Sequence, residues 1–170
     1  EGADGYFVFA DICNTSLRKK DKTVKRMKTV VSAGRTSWIH KKLRSATWYK
    51  NQIKAFKLVN GKRVVISETP VVHAITAGST KYANPVKVKV KKTKISVKAG
   101  KKKKIKADVV LPKNRICQQH SEKIRYIVVD KTIATVNKKG VIRAKSKGTT
   151  TVYAIAQNGV SKKITVTVKG

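Results

Sequence analysis

The chain has 170 residues and carries 41 Lys and Arg against 8 Asp and Glu, so its formal net charge is +33 at pH 7. This length suits one or two domains, and no apolar run approaches the ~18 residues that a membrane span needs. The few, scattered carboxylates disfavour acid–base catalysis, whereas the positive field favours polyanionic partners.

Alternating apolar residues in the first half predict β-strands. Residues 5–9 form the first, and residues 24–31 favour a strand over a helix because they are rich in β-branched side chains. A longer strand is predicted over 49–58. Asn60-Gly61 then predicts a hairpin turn that leads to a last strand over 71–76.

The frame Leu-x-x-x-Thr-x-Tyr-x-x-x-Ile-x-Ala resembles a fibronectin type III domain around its tyrosine corner. Its residues here are Leu43, Thr47, Tyr49, Ile53 and Ala55. The resemblance implies an immunoglobulin-like sandwich in which the Tyr49 hydroxyl bonds to the backbone near Leu43. It also implies two strands before Gly5 that this sequence does not contain, so residues 1–78 are expected to be an N-terminally truncated module.

A truncated module would leave a sheet edge and part of a core uncovered. We therefore expect it to recruit a strand, to dimerise, or to be less stable than the second half. One candidate for the recruited strand is residues 86–90, in and just after the predicted linker 79–86. The second module is then predicted to span residues 87–170.

The second half alternates apolar and polar residues from about residue 94 to its end. Asn158-Gly159 is the strongest of several turn signals, since both residues tolerate the positive φ of a type I′ turn. About seven short strands fit this spacing, which favours an antiparallel β-sandwich. The residues predicted to face inward include Tyr126, Val136, Ile142, Val152 and Val166.

Several motifs occur here in a fixed order: Ile-Ala-Thr-Val at 133–136, Gly-Val-Ile-Arg-Ala at 140–144, Lys-Gly-Thr-Thr-Thr-Val at 147–152 and a closing Ile-Thr-Val-Thr-Val. Together they resemble the bacterial immunoglobulin-like domain of group 2. Both resemblances imply non-catalytic, extracellular modules of a bacterial cell-surface or secreted protein. Such modules serve as spacer and adhesion units beside neighbouring domains.

Lysine dominates the charge, with 33 Lys against 8 Arg. Specific nucleic-acid readout favours Arg and clustered aromatic residues, so it is not expected. One interpretation is that lysines occupy solvated strand faces and oppose edge-to-edge aggregation. The alternative is a polyanion-binding module that anchors a larger secreted enzyme on an anionic cell-wall polymer, a host glycosaminoglycan or nucleic acid. Its candidate residues are Lys87, Lys89, Lys91, Lys101, Lys102, Lys103 and Lys104.

No catalytic, metal or cofactor motif is convincing, and we expect neither enzyme activity nor a cofactor. Ser16-x-x-Lys19 matches a serine acyl-transfer motif by chance in so lysine-rich a chain. The histidines His40, His73 and His120 are isolated. Trp38 and Trp48 could present a sugar platform, but packing on the sheet is the commoner use. The cysteines, Cys13 and Cys117, fall in different modules, so a structural disulfide between them is not expected.

Overall fold

The computed structural model describes residues 2–13, 24–117 and 123–170. These residues form fourteen β-strands and no helix, which confirms the prediction of an all-β fold. Among them there is accordingly no helix of the length and apolarity needed to cross a membrane. The chain divides into two compact units, Glu1–Thr80 and Lys81–Gly170.

The first unit contains one described sheet of five strands. They are β1 (Gly5–Ile12), β2 (Met27–Ser32), β3 (Trp48–Val59), β4 (Lys62–Glu68) and β5 (Val72–Ile75). The strand order is β2-β1-β3-β4, β5 also pairs with β3, and all pairs are antiparallel. The second sheet of a complete sandwich is not among the described residues.

The predicted Asn60-Gly61 hairpin is present between β3 and β4. Both residues have positive φ, 50° at Asn60 and 74° at Gly61, as a type I′ turn requires. The strand that returns along β3 is split, because Pro70 lacks the N–H that would continue the ladder. The strand that follows the Asn60-Gly61 turn is β4, which was not predicted, and the strand predicted over 71–76 is β5.

Tyr49 makes the contact that the tyrosine-corner resemblance implies. Its hydroxyl oxygen accepts a hydrogen bond from the Arg44 backbone N–H at 3.0 Å, one residue beyond Leu43. The wider resemblance of residues 1–78 to a fibronectin type III domain stays a prediction.

The described residues of the second unit form nine strands in three small sheets, two more strands than the seven predicted. They are β6 (Lys87–Val90), β7 (Lys94–Lys98), β8 (Lys102–Lys104), β9 (Ala107–Val110), β10 (Ile124–Val128), β11 (Ala134–Val136), β12 (Val141–Ala144), β13 (Gly148–Ala156) and β14 (Ser161–Lys169). The sheets have the orders β10-β13-β14-β7, β11-β12-β8 and β6-β9.

One hydrophobic core joins the three sheets of the second unit. Ile142, Val152 and Val166 are completely buried in it, as the alternation predicts. Tyr126 and Val136 are half-buried and pack against this core. The inward face of the second unit was therefore predicted correctly from period-2 alternation alone.

Three details differ from the sequence-based expectations. Residues 87–90 form β6, which pairs with β9 inside the second unit and does not complete the first. Residues 102–104 have no apolar alternation, yet they form the strand β8 because they bond along β12. The Asn158-Gly159 turn is not type I′, since only Gly159 has positive φ. A bond from the Gly159 N–H to the Ala156 carbonyl instead closes a wider hairpin loop.

The last strand, β14, makes a parallel pair with β7, so the second unit is not purely antiparallel. The register pairs Thr165 with Lys94 and Lys169 with Lys98. Backbone hydrogen bonds extend the ladder at both ends, from the Thr165 N–H to the Thr93 carbonyl at 2.8 Å and from the Ala99 N–H to the Lys169 carbonyl at 2.8 Å. The first and last parts of this unit are thereby bonded side by side.

Candidate functional site

The predicted lysines of β6 lie on its outward face. Lys87 and Lys89 are exposed, as is Lys91 just beyond the strand, while Val88 between them is buried. Lys89 stands opposite Asp108 of β9, and the Lys123 ammonium group also contacts that carboxylate. The Lys123 hydrogen bond, followed by one from the Val109 N–H, lowers the pKa of Asp108 below its ordinary value. Part of the positive charge at β6 is therefore locally compensated.

The run Lys101–Lys104 is fully exposed and lies in and just before β8. Neighbouring lysines in this run face opposite sides of the sheet. Lys103 is opposite the buried Ile142, and its ammonium group donates to the Ser96 carbonyl at 2.8 Å. Lys102 is on the outward face, directly opposite Arg143 of β12. Like charges directly opposite each other in a sheet are destabilising, so this pair would gain from a bound anion.

The remaining candidates do not assemble a catalytic or metal site. Within the part of the chain that the structure describes, no group of three or more His, Cys, Asp or Glu residues is placed to hold a metal ion. His73 is completely buried in β5, and Trp48 is buried in β3, as expected for packing on the sheet. Ser16, Lys19 and His120 lie outside the described residues.

The two cysteines lie in different units, as predicted. Cys13 is buried at the end of β1 in the first unit. Cys117 is half-buried in the second unit, where burial raises the pKa of its thiol to about 11, opposed by the charge of Lys123. A thiol with so high a pKa is a poor nucleophile near neutral pH, because the reactive species is the thiolate.

A second concentration of charge, which the sequence analysis did not identify, lies in the first unit. It is a cleft of about 460 Å³, and we call it the basic cleft. Its polar lining consists mainly of Arg26, Lys28, His40, Lys42, Arg44 and Lys50. The volume falls within the range of ~300–1,000 Å³ that is usual for ligand sites.

Four parts of the first unit line the cleft. Residues 10–12 belong to β1, Arg26 lies just before β2, and Lys28 lies in β2. The loop before β3 contributes His40, Lys42, Leu43 and Arg44, and β3 itself contributes Tyr49 and Lys50. The bond between Tyr49 and the Arg44 backbone fixes the end of this loop on β3.

Among the described residues, Asp11 is the single carboxylate in the lining, and its oxygens already have partners. Its Oδ2 accepts hydrogen bonds from the backbone N–H groups of Lys25 at 2.9 Å and Arg26 at 3.1 Å. Its Oδ1 lies 3.7 Å from Arg26 Nε. Five cationic side chains in the lining are therefore set against one carboxylate whose oxygens have partners.

His40 lies at the side of the cleft, between two aromatic rings. Its ring centroid is 5.0 Å from that of Trp38 and 5.8 Å from that of Tyr49, with an edge-on approach to Tyr49. The Nδ1 atom of His40 is buried and has no hydrogen-bond partner among the described residues. Burial, and then the charge of Lys28, lowers the pKa of His40 below 6.5.

Comparisons with known proteins identify a family for the second half. Residues 86–168 match the model of the bacterial Ig-like domain (group 2), which confirms the resemblance predicted for this half. No curated protein sequence matches the chain.

Two solved structures illustrate more distant likenesses. Domains 4 and 5 of the S-layer protein SbsC have 19% identity and a TM-score of 0.39, over 71% of this chain and 65% of that one. The C-terminal 282-residue fragment of intimin was solved with the intimin-binding domain of the translocated intimin receptor. It has 14% identity and a TM-score of 0.33, over 99% of this chain and 53% of that one. The chain thus spans less than two thirds of either structure.

Proposed function

We propose that the chain is a non-catalytic spacer and adhesion segment of a bacterial cell-surface or secreted protein, because residues 86–168 match the model of the bacterial Ig-like domain (group 2). Its place is extracellular, and its partners are neighbouring domains of the larger protein. The observation that carries the spacer role is the parallel pairing of β7 with β14.

A spacer between a cell and its surroundings must transmit tension without opening. The strand β7 lies near the beginning of the second unit, and β14 is its last strand. When the two ends of the unit are pulled apart, parallel neighbours slide in opposite directions. The hydrogen bonds between β7 and β14 are then loaded together rather than one after another. This arrangement favours a high barrier to forced unfolding, which is governed by the unfolding rate.

Single-molecule pulling tests this function. With handles at residues 81 and 170, we expect the second unit to open in one discrete event, with a length gain of about 250–300 Å from the extended chain. The matched control pulls the same unit from residues 147 and 170. These positions lie at the open end of the β13–β14 hairpin, where Gly148 pairs with Val168, so the pull unzips its hydrogen bonds one after another. The force should be severalfold lower in the control, and equal low forces in both geometries would rule out a load-bearing role.

A second candidate function is adhesion to anionic polymers through the lysines of the second unit. The like-charged cross-strand pair Lys102 and Arg143 supports it, since a bound polyanion would relieve their repulsion. The test replaces Lys101–Lys104 by Gln and measures retention on a heparin column. The control replaces four other exposed lysines, Lys138, Lys139, Lys162 and Lys163, by Gln. A larger loss for the first variant supports a site at β8, whereas equal losses would assign retention to net charge alone.

A further inference from the structure

We propose that the basic cleft of the first unit is a specific binding site for phosphate or sulfate ester groups of an anionic polymer. This site is separate from the lysines of the second unit, and it does not depend on the spacer function. No motif in the sequence marks it, because its charged residues are spread from Arg26 to Lys50 and meet only in the folded unit.

The charge balance of the cleft favours an anion with more than one negative group. Five cations line about 460 Å³, and Asp11 is held by its neighbouring N–H groups. A single phosphate carries a charge of only about −2. A sulfate ester or a phosphodiester carries a single negative charge, so several such groups are needed to balance five cations against one carboxylate, which points to a segment of a polymer rather than to free phosphate.

The walls of the cleft add features that a general positive surface lacks. Ile12 and Leu43 add apolar surface beside the cations, suited to the carbon skeleton of a sugar or polyol. The bond from Arg44 to Tyr49 holds the loop in place before ligand arrives, which lowers the entropic cost of binding.

The direct test is calorimetric titration of the whole chain with two probes. One is a heparin-derived tetrasaccharide, which carries sulfate esters, and the other is a glycerol phosphate oligomer. Neutral dextran of similar size is the blank. The proposal requires binding of at least one charged probe, and the probe that binds more tightly identifies the ester. Failure of both probes to bind at low salt would overturn it.

A pair of variants separates the cleft from the overall charge. The cleft variant is Lys28→Gln, Lys42→Gln, Arg44→Gln, and the control is Lys138→Gln, Lys139→Gln, Lys163→Gln, which removes the same number of charges from exposed positions of the second unit outside β8. We expect the cleft variant to bind at least tenfold more weakly and the control to change less than twofold. Equal losses would show that the probes respond only to the general field, and the proposal would fall.

Chemical-shift mapping on the unmodified chain keeps the test decisive if the cleft variant does not fold. Adding the tetrasaccharide should shift the resonances of His40, Arg44 and residues 10–12 first. It should leave those of β8 in place until higher probe concentrations. Shifts that begin at β8, or that spread evenly over both units, would contradict a site in the cleft.

Discussion

The hydroxyl oxygen of Tyr49 accepts a hydrogen bond from the backbone N–H of Arg44 at 3.0 Å. Tyr49 is buried at the beginning of β3, and Arg44 lies in the loop that forms one wall of the basic cleft. This hydrogen bond therefore contributes to the stability of the first unit and also holds the loop that lines its candidate binding site.

Removing this hydroxyl should destabilise the first unit. In Tyr49→Phe, the Arg44 N–H loses its acceptor, at a cost of about 1–3 kcal/mol in the free energy of unfolding. Urea denaturation of the whole chain measures the change. The control is Tyr153→Phe on the outward face of β13, which should cost less than about 0.5 kcal/mol. Equal effects would mean that the Tyr49 bond contributes nothing measurable.

Gly140 should not tolerate a side chain. Its φ is +75°, and a Cβ atom there would lie 2.8 Å from the Tyr126 hydroxyl oxygen and 3.2 Å from the Ile105 carbonyl oxygen. Gly100 is a matched control in the same unit, because its φ is +74° and a Cβ atom there would meet nothing within 4 Å. Both alanine variants bear the strain of positive φ, about 1 kcal/mol.

The difference between these two variants measures packing against Tyr126. We expect Gly140→Ala to lower the free energy of unfolding by about 1–3 kcal/mol more than Gly100→Ala does. Adding Tyr126→Phe to Gly140→Ala should recover part of the loss, because the nearest atom is then absent. Identical stabilities for the two alanine variants would show that Tyr126 does not pack against Gly140.

Most of the second unit could be predicted from its sequence, because its strands alternate between buried and exposed residues. Ile164 and Val166 illustrate this, since each is flanked by polar residues and each is completely buried. The strand β8 could not be predicted this way. Its three lysines carry no alternation, and only pairing with β12 makes them a strand. Hydrogen bonds to β12, a strand distant in the sequence, therefore determine the structure of residues 102–104, and the local sequence pattern does not.

Val152→Asp should disrupt the core of the second unit. Val152 has no exposed surface, so the new carboxylate would be buried without a partner, which should cost about 4 kcal/mol or more. Thermal unfolding followed by circular dichroism measures the loss. Thr149→Asp, exposed on the same strand, serves as the control and should change stability by less than about 1 kcal/mol. An unchanged melting temperature for Val152→Asp would mean that the strand register is wrong.

His40 should titrate below its ordinary pKa of 6.5, because burial and then the Lys28 charge oppose protonation. Asp11 and the cations of the basic cleft are the other charged groups around it. Between the folded pKa and 6.5, the folded chain binds fewer protons than the unfolded chain. Stability should therefore fall as pH decreases from 6.5 through the folded pKa, and His40 should have no effect above 6.5.

Nuclear magnetic resonance titration of the His40 ring checks this directly. Lys28→Gln should raise its pKa, although burial keeps the value below 6.5. Lys163→Gln, in the other unit, should leave the pKa unchanged. If Lys28→Gln lowered the pKa or left it unaltered, the placement of Lys28 beside the imidazole would be wrong.

The basic cleft could not be predicted from the sequence, because its charged residues are separated along the chain and meet only in the folded unit. Its cations come from β2, a loop without regular structure and β3, and each alone resembles an ordinary solvated lysine or arginine. The one usable signal was the frame around Tyr49. It correctly placed the backbone next to Leu43 against that ring, but it gave no information on the side chains of Lys42 and Arg44.

Independent folding of residues 81–170 is the central claim, because the proposed spacer function requires the second unit to be stable by itself. Residues 81–86 belong with it, since the Ile116 N–H donates to the Lys81 carbonyl and the Val86 N–H to the Val110 carbonyl. Calorimetry of the isolated fragment 81–170 tests the claim most directly. We predict one cooperative transition at the temperature where this unit melts in the whole chain. A fragment that shows no cooperative transition would contradict the account.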